Sequence, residues 1–164
     1  MIYLMTMLMP FQVTLVPNYM VIDKLGLMNH TSAIILPGIF GAFAVFMMRQ
    51  FMAHIPGAYS EAAMMDGAGP WVIFWRIILP LARPGLAALL VLLFVDYWNM
   101  IEQPLIFLQD AYKQPLSLYL AQINKEALGI AFAASALYMA PVILLFLHAE
   151  SYFIEGVQLS GIKG

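Results

Sequence analysis

The chain has no cysteine and little charge: Asp, Glu, Lys and Arg together make up 10 % of its 164 residues. The absence of thiols excludes disulfide frameworks, cysteine nucleophiles and Cys-type zinc sites. The seven Lys and Arg are scattered singly, and the net charge is −2. That removes the basic footprint nucleic-acid binding requires, so no nucleic-acid partner is expected. No Gly-rich Lys-Ser/Thr loop is present, so the chain does not itself hold and hydrolyse ATP. His30, His54 and His148 stand apart with no ligand spacing to Asp or Glu, which predicts no metal site and no catalytic one.

What fills the space is apolar. Hydrophobic residues make up 63 % of the chain and mean hydropathy is +0.87. A water-soluble domain carries roughly 25 % charged residues, so this excess belongs in lipid. Four runs are long enough to cross a bilayer, which takes about 20 residues each. They cover about 2–21, 31–48, 85–108 and 129–149. The first contains Pro10 and Pro17, which predict a kinked or broken helix whose freed backbone groups are met by Gln12, Thr14 and Asn18. It lacks the basic start and small-residue cleavage site of a signal peptide and reads as a span. The second carries Gly38 and Ala42 at a spacing that lets a neighbouring helix approach closely. The fourth should kink at Pro141. With four spans, the long connection and the tail hold Arg49, Arg76, Arg83 and Lys163, against Lys24, Lys113 and Lys125 opposite. An excess of four over three favours the cytoplasmic side for the long connection but does not by itself fix the topology.

That connection has its own character. Pro56-Gly57 ends the second span, Tyr59 to Asp66 reads as a short helix, and Gly67 suits the positive-φ residue that closes one. Gly69-Pro70 starts a second helix with Trp71, Phe74, Trp75 and Ile78 on one stripe, which Pro80 and Pro84 stop. The expected element, over residues 55–80, is a helix-turn-helix at the membrane surface with its aromatics at headgroup depth and Glu61 and Asp66 projecting.

In the third run Asp96 lies about 16 Å along a helix from Gly85, near mid-bilayer, where a bare carboxylate costs about 2.5–3.5 kcal/mol. Asn99 and Gln103 follow at i+3 and i+7. This polar stripe fits two readings, a substrate path and a helix-packing cluster. Asp96 and Asp110 lack the two Gly-flanked sites of an intramembrane aspartyl protease. The methionines read as adaptable packing.

Glu61-Ala62-Ala63, three residues, Gly67, nine residues, Ile77, one residue and Leu79-Pro80 together resemble the EAA loop of binding-protein-dependent ABC importer permeases. The flanking MMRQFMAHIP and FVDYWNMIEQPLIFL, and the terminal YFIEGVQLSGIKG, are similar to the carbohydrate-importer branch, in particular the smaller maltose-type permease. The resemblance implies an all-α integral membrane permease of the type I ABC importer kind, forming a single, partial permease domain over 1–164 in the bacterial or archaeal inner membrane. It implies that Glu61, Ala62, Ala63, Asp66, Gly67, Ile77, Leu79 and Pro80 form a coupling element for an ABC ATPase dimer, which binds the ATP. Glu61 engages a basic group of the ATPase, the alanines permit close seating, and Gly67 makes the turn. The further partners implied are a second permease and an extracytoplasmic solute-binding protein, and the cargo is a sugar or sugar derivative. Family members of this branch have six spans, so this chain is expected to correspond to the last four. The competing readings are a four-helix channel or structural membrane protein, and a permease for another solute class.

Overall fold

Prolines and glycines decide where these helices start and break. The computed structural model describes residues 5, 8–122 and 128–161, with side chains to residue 150 apart from Phe11. The front of the first apolar run, Lys125, Lys163 and the side chains of the terminal motif lie outside the described residues. Every regular element among the described residues is helical.

Helix α1 spans Phe11–Lys24, with Pro10 at its N-cap and Pro17 inside it. Helices α2 (Ser32–Ile39) and α3 (Ala42–Ala53) follow one another across a break at Phe40 and Gly41. Helix α4 is Ala58–Met65 and α5 is Pro70–Leu81. Helix α6 is Arg83–Trp98, α7 is Glu102–Phe107, a 3₁₀ turn covers Ala111–Lys113, α8 is Leu116–Ala121 and α9 is Leu128–Gly161.

Among the described residues two stretches are long and apolar enough to cross a membrane, Ser32–Ala53 and Leu128–Glu150. A third candidate is the pair α5 and α6, bent by 68°. Four spans are expected from the sequence, the first kinked or broken at its prolines and the fourth kinked at Pro141. Among the described residues the first run gives α1, of 14 residues. The third run, 85–108, is two helices rather than one. At 1.5 Å per residue, α6 alone rises about 24 Å, short of the roughly 30 Å hydrocarbon layer. The interruption has a covalent cause in Pro104, which supplies no N–H for the Met100 carbonyl and crowds it with its ring.

The chain divides into two compact units. The first takes residues 1–42 and 94–145. Its core is Ile22, Ala33 and Phe107, packed by Leu15, Leu27, Met28 and Ile106, so α2 lies against α7. Here Gly38 admits a side chain: a Cβ at that position would overlap the Tyr97 hydroxyl and lie 2.9 Å from its Cζ. The close approach expected at Gly38 is made by a tyrosine ring. The second unit takes residues 43–93 and 146–164 and contains the long connection. In it Gly85 is covered by the Phe51 ring, whose Cδ1 lies 2.7 Å from where a Cβ would stand, so α3 meets the first turn of α6.

Along α9, Ile130, Phe132, Leu137, Met139, Ile143, Leu144 and Leu147 are all exposed. A helix apolar around its circumference is stable in water only inside a large core, so lipid is the environment that satisfies it.

Candidate coupling element and the polar residues of the third run

Helix α4 has Gly57 as its N-cap after Pro56 and places Glu61 in its first turn, where the helix dipole favours a carboxylate. It closes as the spacing predicts. Gly67 takes φ 79°, its N–H donates to Met64 O at 3.0 Å, and the Ala68 N–H donates to Ala63 O at 2.9 Å. This is the paired-bond Schellman closure, which uses a residue free to adopt a left-handed conformation. Gly69 is then extended, and Pro70 occupies the first position of α5, where its missing N–H costs nothing.

The two alanines differ in exposure. Ala63 is buried, whereas Ala62 is exposed beside the exposed Glu61 and Asp66. Their neighbours on the outer surface are large and apolar: Met65 is 90 % exposed, Trp71 76 % and Trp75 60 %. The single aromatic stripe expected along α5 is therefore divided. Ile73 is buried, Phe74, Ile77 and Ile78 are half-buried, and both tryptophans point outward, Trp75 meeting Phe74 edge-on at 5.4 Å. The reason is a change of helical pitch. Over Phe74–Ile78 the helix widens into a π turn, the Leu79 N–H reaching back five residues to Phe74 O. Widening the turn ahead of Pro80 relieves the crowding between its ring and the Arg76 carbonyl, and it breaks the 3.6-residue register. Leu79 and Pro80 are half-buried at the end of this segment.

The structure does not bring Asp96, Asn99 and Gln103 onto one helical stripe. Asp96 is exposed in the last turn of α6, Asn99 lies in the break, and Gln103 lies on α7 and is half-buried. The Asn99 amide is occupied with the backbone. Its Nδ2 donates to Val95 O at 2.7 Å and its Oδ1 accepts the Tyr138 hydroxyl at 3.1 Å.

A cluster the sequence reading missed joins the turn after α1 to the connection after α7. Asn29 has φ 62°, a left-handed conformation that asparagine tolerates better than most residues. Its Nδ2 donates to Asp110 Oδ2 at 2.6 Å, and its Oδ1 accepts the N–H groups of Gln109 and Asp110, both at 3.1 Å. Lys113 Nζ donates to Asn29 O at 2.9 Å and pairs with Asp110 at 3.0 Å. Hydrogen bonds from Asn29, then Lys113 and Tyr112, hold the Asp110 carboxyl below its ordinary range. The Asp110 hydrogen bond raises Lys113. A turn-forming Asn after Gly26 is the only sequence signal for this clasp; its partners lie about eighty residues on, beyond any local pattern. Among the described residues no group of three His, Asp or Glu side chains is placed to hold a metal ion.

Comparison with known proteins follows the same lines. The family described as binding-protein-dependent transport system inner membrane component matches residues 1–153. The arabinooligosaccharides transport system permease protein AraQ of Halalkalibacterium halodurans is 34 % identical, over 98 % of this chain and 59 % of its own length. The sn-glycerol-3-phosphate transport system permease protein UgpE of Brucella abortus is 32 % identical, over 93 % of this chain and 56 % of its own. A crystal structure of a bacterial ABC transporter involved in the import of the acidic polysaccharide alginate superposes with TM-score 0.72 and 28 % identity, over 84 % of this chain and 55 % of that one. The chain thus spans somewhat over half the length of the relatives it matches.

Proposed function

The chain belongs to the binding-protein-dependent transport system inner membrane components, and from that premise we propose that it is a permease subunit of an ABC importer for a sugar or sugar derivative, coupled to its ATPase through α4. The observation that carries this reading is the outer face of α4. A carboxylate at Glu61, a small side chain at Ala62 and a rigid glycine-closed end at Gly67 stand exposed together, beside an apolar surface of Met65 and Trp71. A short helix with a small residue on its exposed face seats in a groove, and a carboxylate in its first turn takes an arginine in two parallel hydrogen bonds. Ala63 faces inward and serves by letting α4 lie close to its own protein.

In this account the chain supplies four crossings of the inner membrane: α1, the α2–α3 pair, the interrupted α6–α7 segment and α9. Asp66 joins Glu61 on the docking face, and Ile77, Leu79 and Pro80 carry movement from the docked helix into α6. The ATPase dimer binds the ATP. A second permease and an extracytoplasmic binding protein complete the importer, and Asp96 and Gln103 are the residues left to face the substrate path. The carbohydrate assignment is supported by relatives named for arabinooligosaccharide and alginate import; the relative named for glycerol-3-phosphate widens the class to phosphorylated polyols.

The test is uptake driven by ATP in membranes carrying the assembled importer. Glu61→Lys abolishes uptake while the chain still inserts and is recovered in the membrane fraction. Unchanged uptake by this variant would sink the proposal.

A further inference from the structure

An interrupted helix inside a bilayer exposes carbonyls that no water is present to satisfy. At the end of α6 two of them, Trp98 O and Met100 O, are met by side chains, and Val95 O, which keeps the Asn99 N–H at 3.1 Å, takes a second donor from the Asn99 side chain. Trp98 O accepts the Tyr138 hydroxyl at 2.6 Å, and Met100 O accepts Ser117 Oγ at 2.6 Å. The last replaces the N–H that Pro104 lacks. The Tyr138 hydroxyl stands in for the Glu102 N–H, which in an unbroken helix would bond to Trp98 O. The contact is returned: Trp98 Nε1 donates to Tyr138 O at 3.2 Å, on a helix turn already loosened by Pro141. Rings enclose the exchange, Trp98 stacking on Phe94 at 5.2 Å and on Tyr138 at 5.4 Å.

We infer that the break after Trp98 is a rigid elbow, locked by Tyr138, Ser117 and Asn99, which keeps its geometry while the importer passes through its nucleotide cycle. A hinge absorbs large dihedral changes at a few loosely bonded residues. Here bending would strip Trp98 O and Met100 O of their donors at once, and each loss in an apolar setting is costly. The Asn99 amide, spent on Val95 O and Tyr138, belongs to the lock and is withdrawn from the substrate path.

The inference rests on the importer reading, and the experiment separates the two. Amide hydrogen exchange is measured on the intact importer in membranes, with no nucleotide and with ATP plus vanadate. The Asn99 and Met100 amides exchange at rates within about threefold of each other in the two states, and Tyr138→Phe, which keeps the ring stack, accelerates both about tenfold in either state. Ser117→Ala is the second variant and accelerates exchange at the same break. A larger change with nucleotide in the unaltered chain, or wild-type exchange in both variants, overturns the elbow. Amides 58–67 serve as the control: protection there in the trapped state reports docking, and its absence refutes the coupling reading while the variant comparison still decides the elbow.

Discussion

Replacing Gly67 by alanine isolates one backbone angle. Gly67 sits at φ 79°, and a Cβ built on it meets nothing within 4 Å, so the substitution adds no clash and removes no contact. What it adds is the left-handed penalty for an L-residue, about 1–2 kcal/mol. That lowers the ratio of closed to open turn by a factor of about 5–30. If docking needs the closed turn, the apparent affinity of the membrane-embedded chain for the ATPase falls by up to that factor, since only the competent fraction binds. Asparagine visits the same region more readily, so Gly67→Asn should retain most of the affinity. Gly26 supplies the control: φ is 67°, no atom lies within 4 Å, and it lies in the turn after α1. Gly26→Ala carries the same backbone cost and should leave ATPase affinity unchanged. The assay is titration of purified ATPase onto proteoliposomes containing each variant. Equal binding by Gly67 and Gly67→Ala, or equal weakening by Gly26→Ala and Gly67→Ala, refutes the reasoning.

Other consequences follow from single contacts. Gly85→Ala forces a Cβ against Phe51, and overpacking of this kind costs about 1–3 kcal/mol, so thermal unfolding in detergent shifts down and Phe51→Leu restores part of it. Asn29→Ala leaves the amides of Gln109 and Asp110 without their acceptor, and both should exchange faster with solvent. The same clasp has a defined pH response. The Asp110 carboxyl is lowered, so its contribution is present above the unfolded carboxylate value of about 3.9 and is lost as pH falls through the lower folded value. Lys113 is raised, so its contribution is full below about 10.4 and is lost as pH rises through the higher folded value. The protection of the Gln109 amide, the intrinsic exchange rate at each pH relative to the observed one, should therefore be flat between these limits and fall beyond either.

The turn chemistry of the long connection was legible because it is local. Gly67 and the Gly69-Pro70 start are fixed by dihedral limits that one or two residues declare. The α5 stripe was misread because the π turn ahead of Pro80 shifts the register, and a 3.6-residue template has no place for it. The third run was misread for a related reason: its composition is continuous, but Pro104 removes one donor and the chain resolves the deficit with Ser117 and Tyr138, from helices 17 and 40 residues away. Asp96, Asn99 and Gln103 share a stripe only while that helix is unbroken. The Asn29 clasp was illegible on the same ground, its specificity lying in a left-handed asparagine whose acceptors and donors are distant in sequence.

The central claim is that α4 is the surface on which the ATPase sits. A cysteine in place of Ala62, in a chain with no other thiol, can be joined by a short bifunctional reagent to whatever lies against it in native membranes. The account predicts one adduct whose added mass is that of the ATPase subunit, formed with Ala62→Cys and not with Tyr112→Cys on the exposed connection after α7. An ATPase adduct from Tyr112→Cys but not from Ala62→Cys would contradict it.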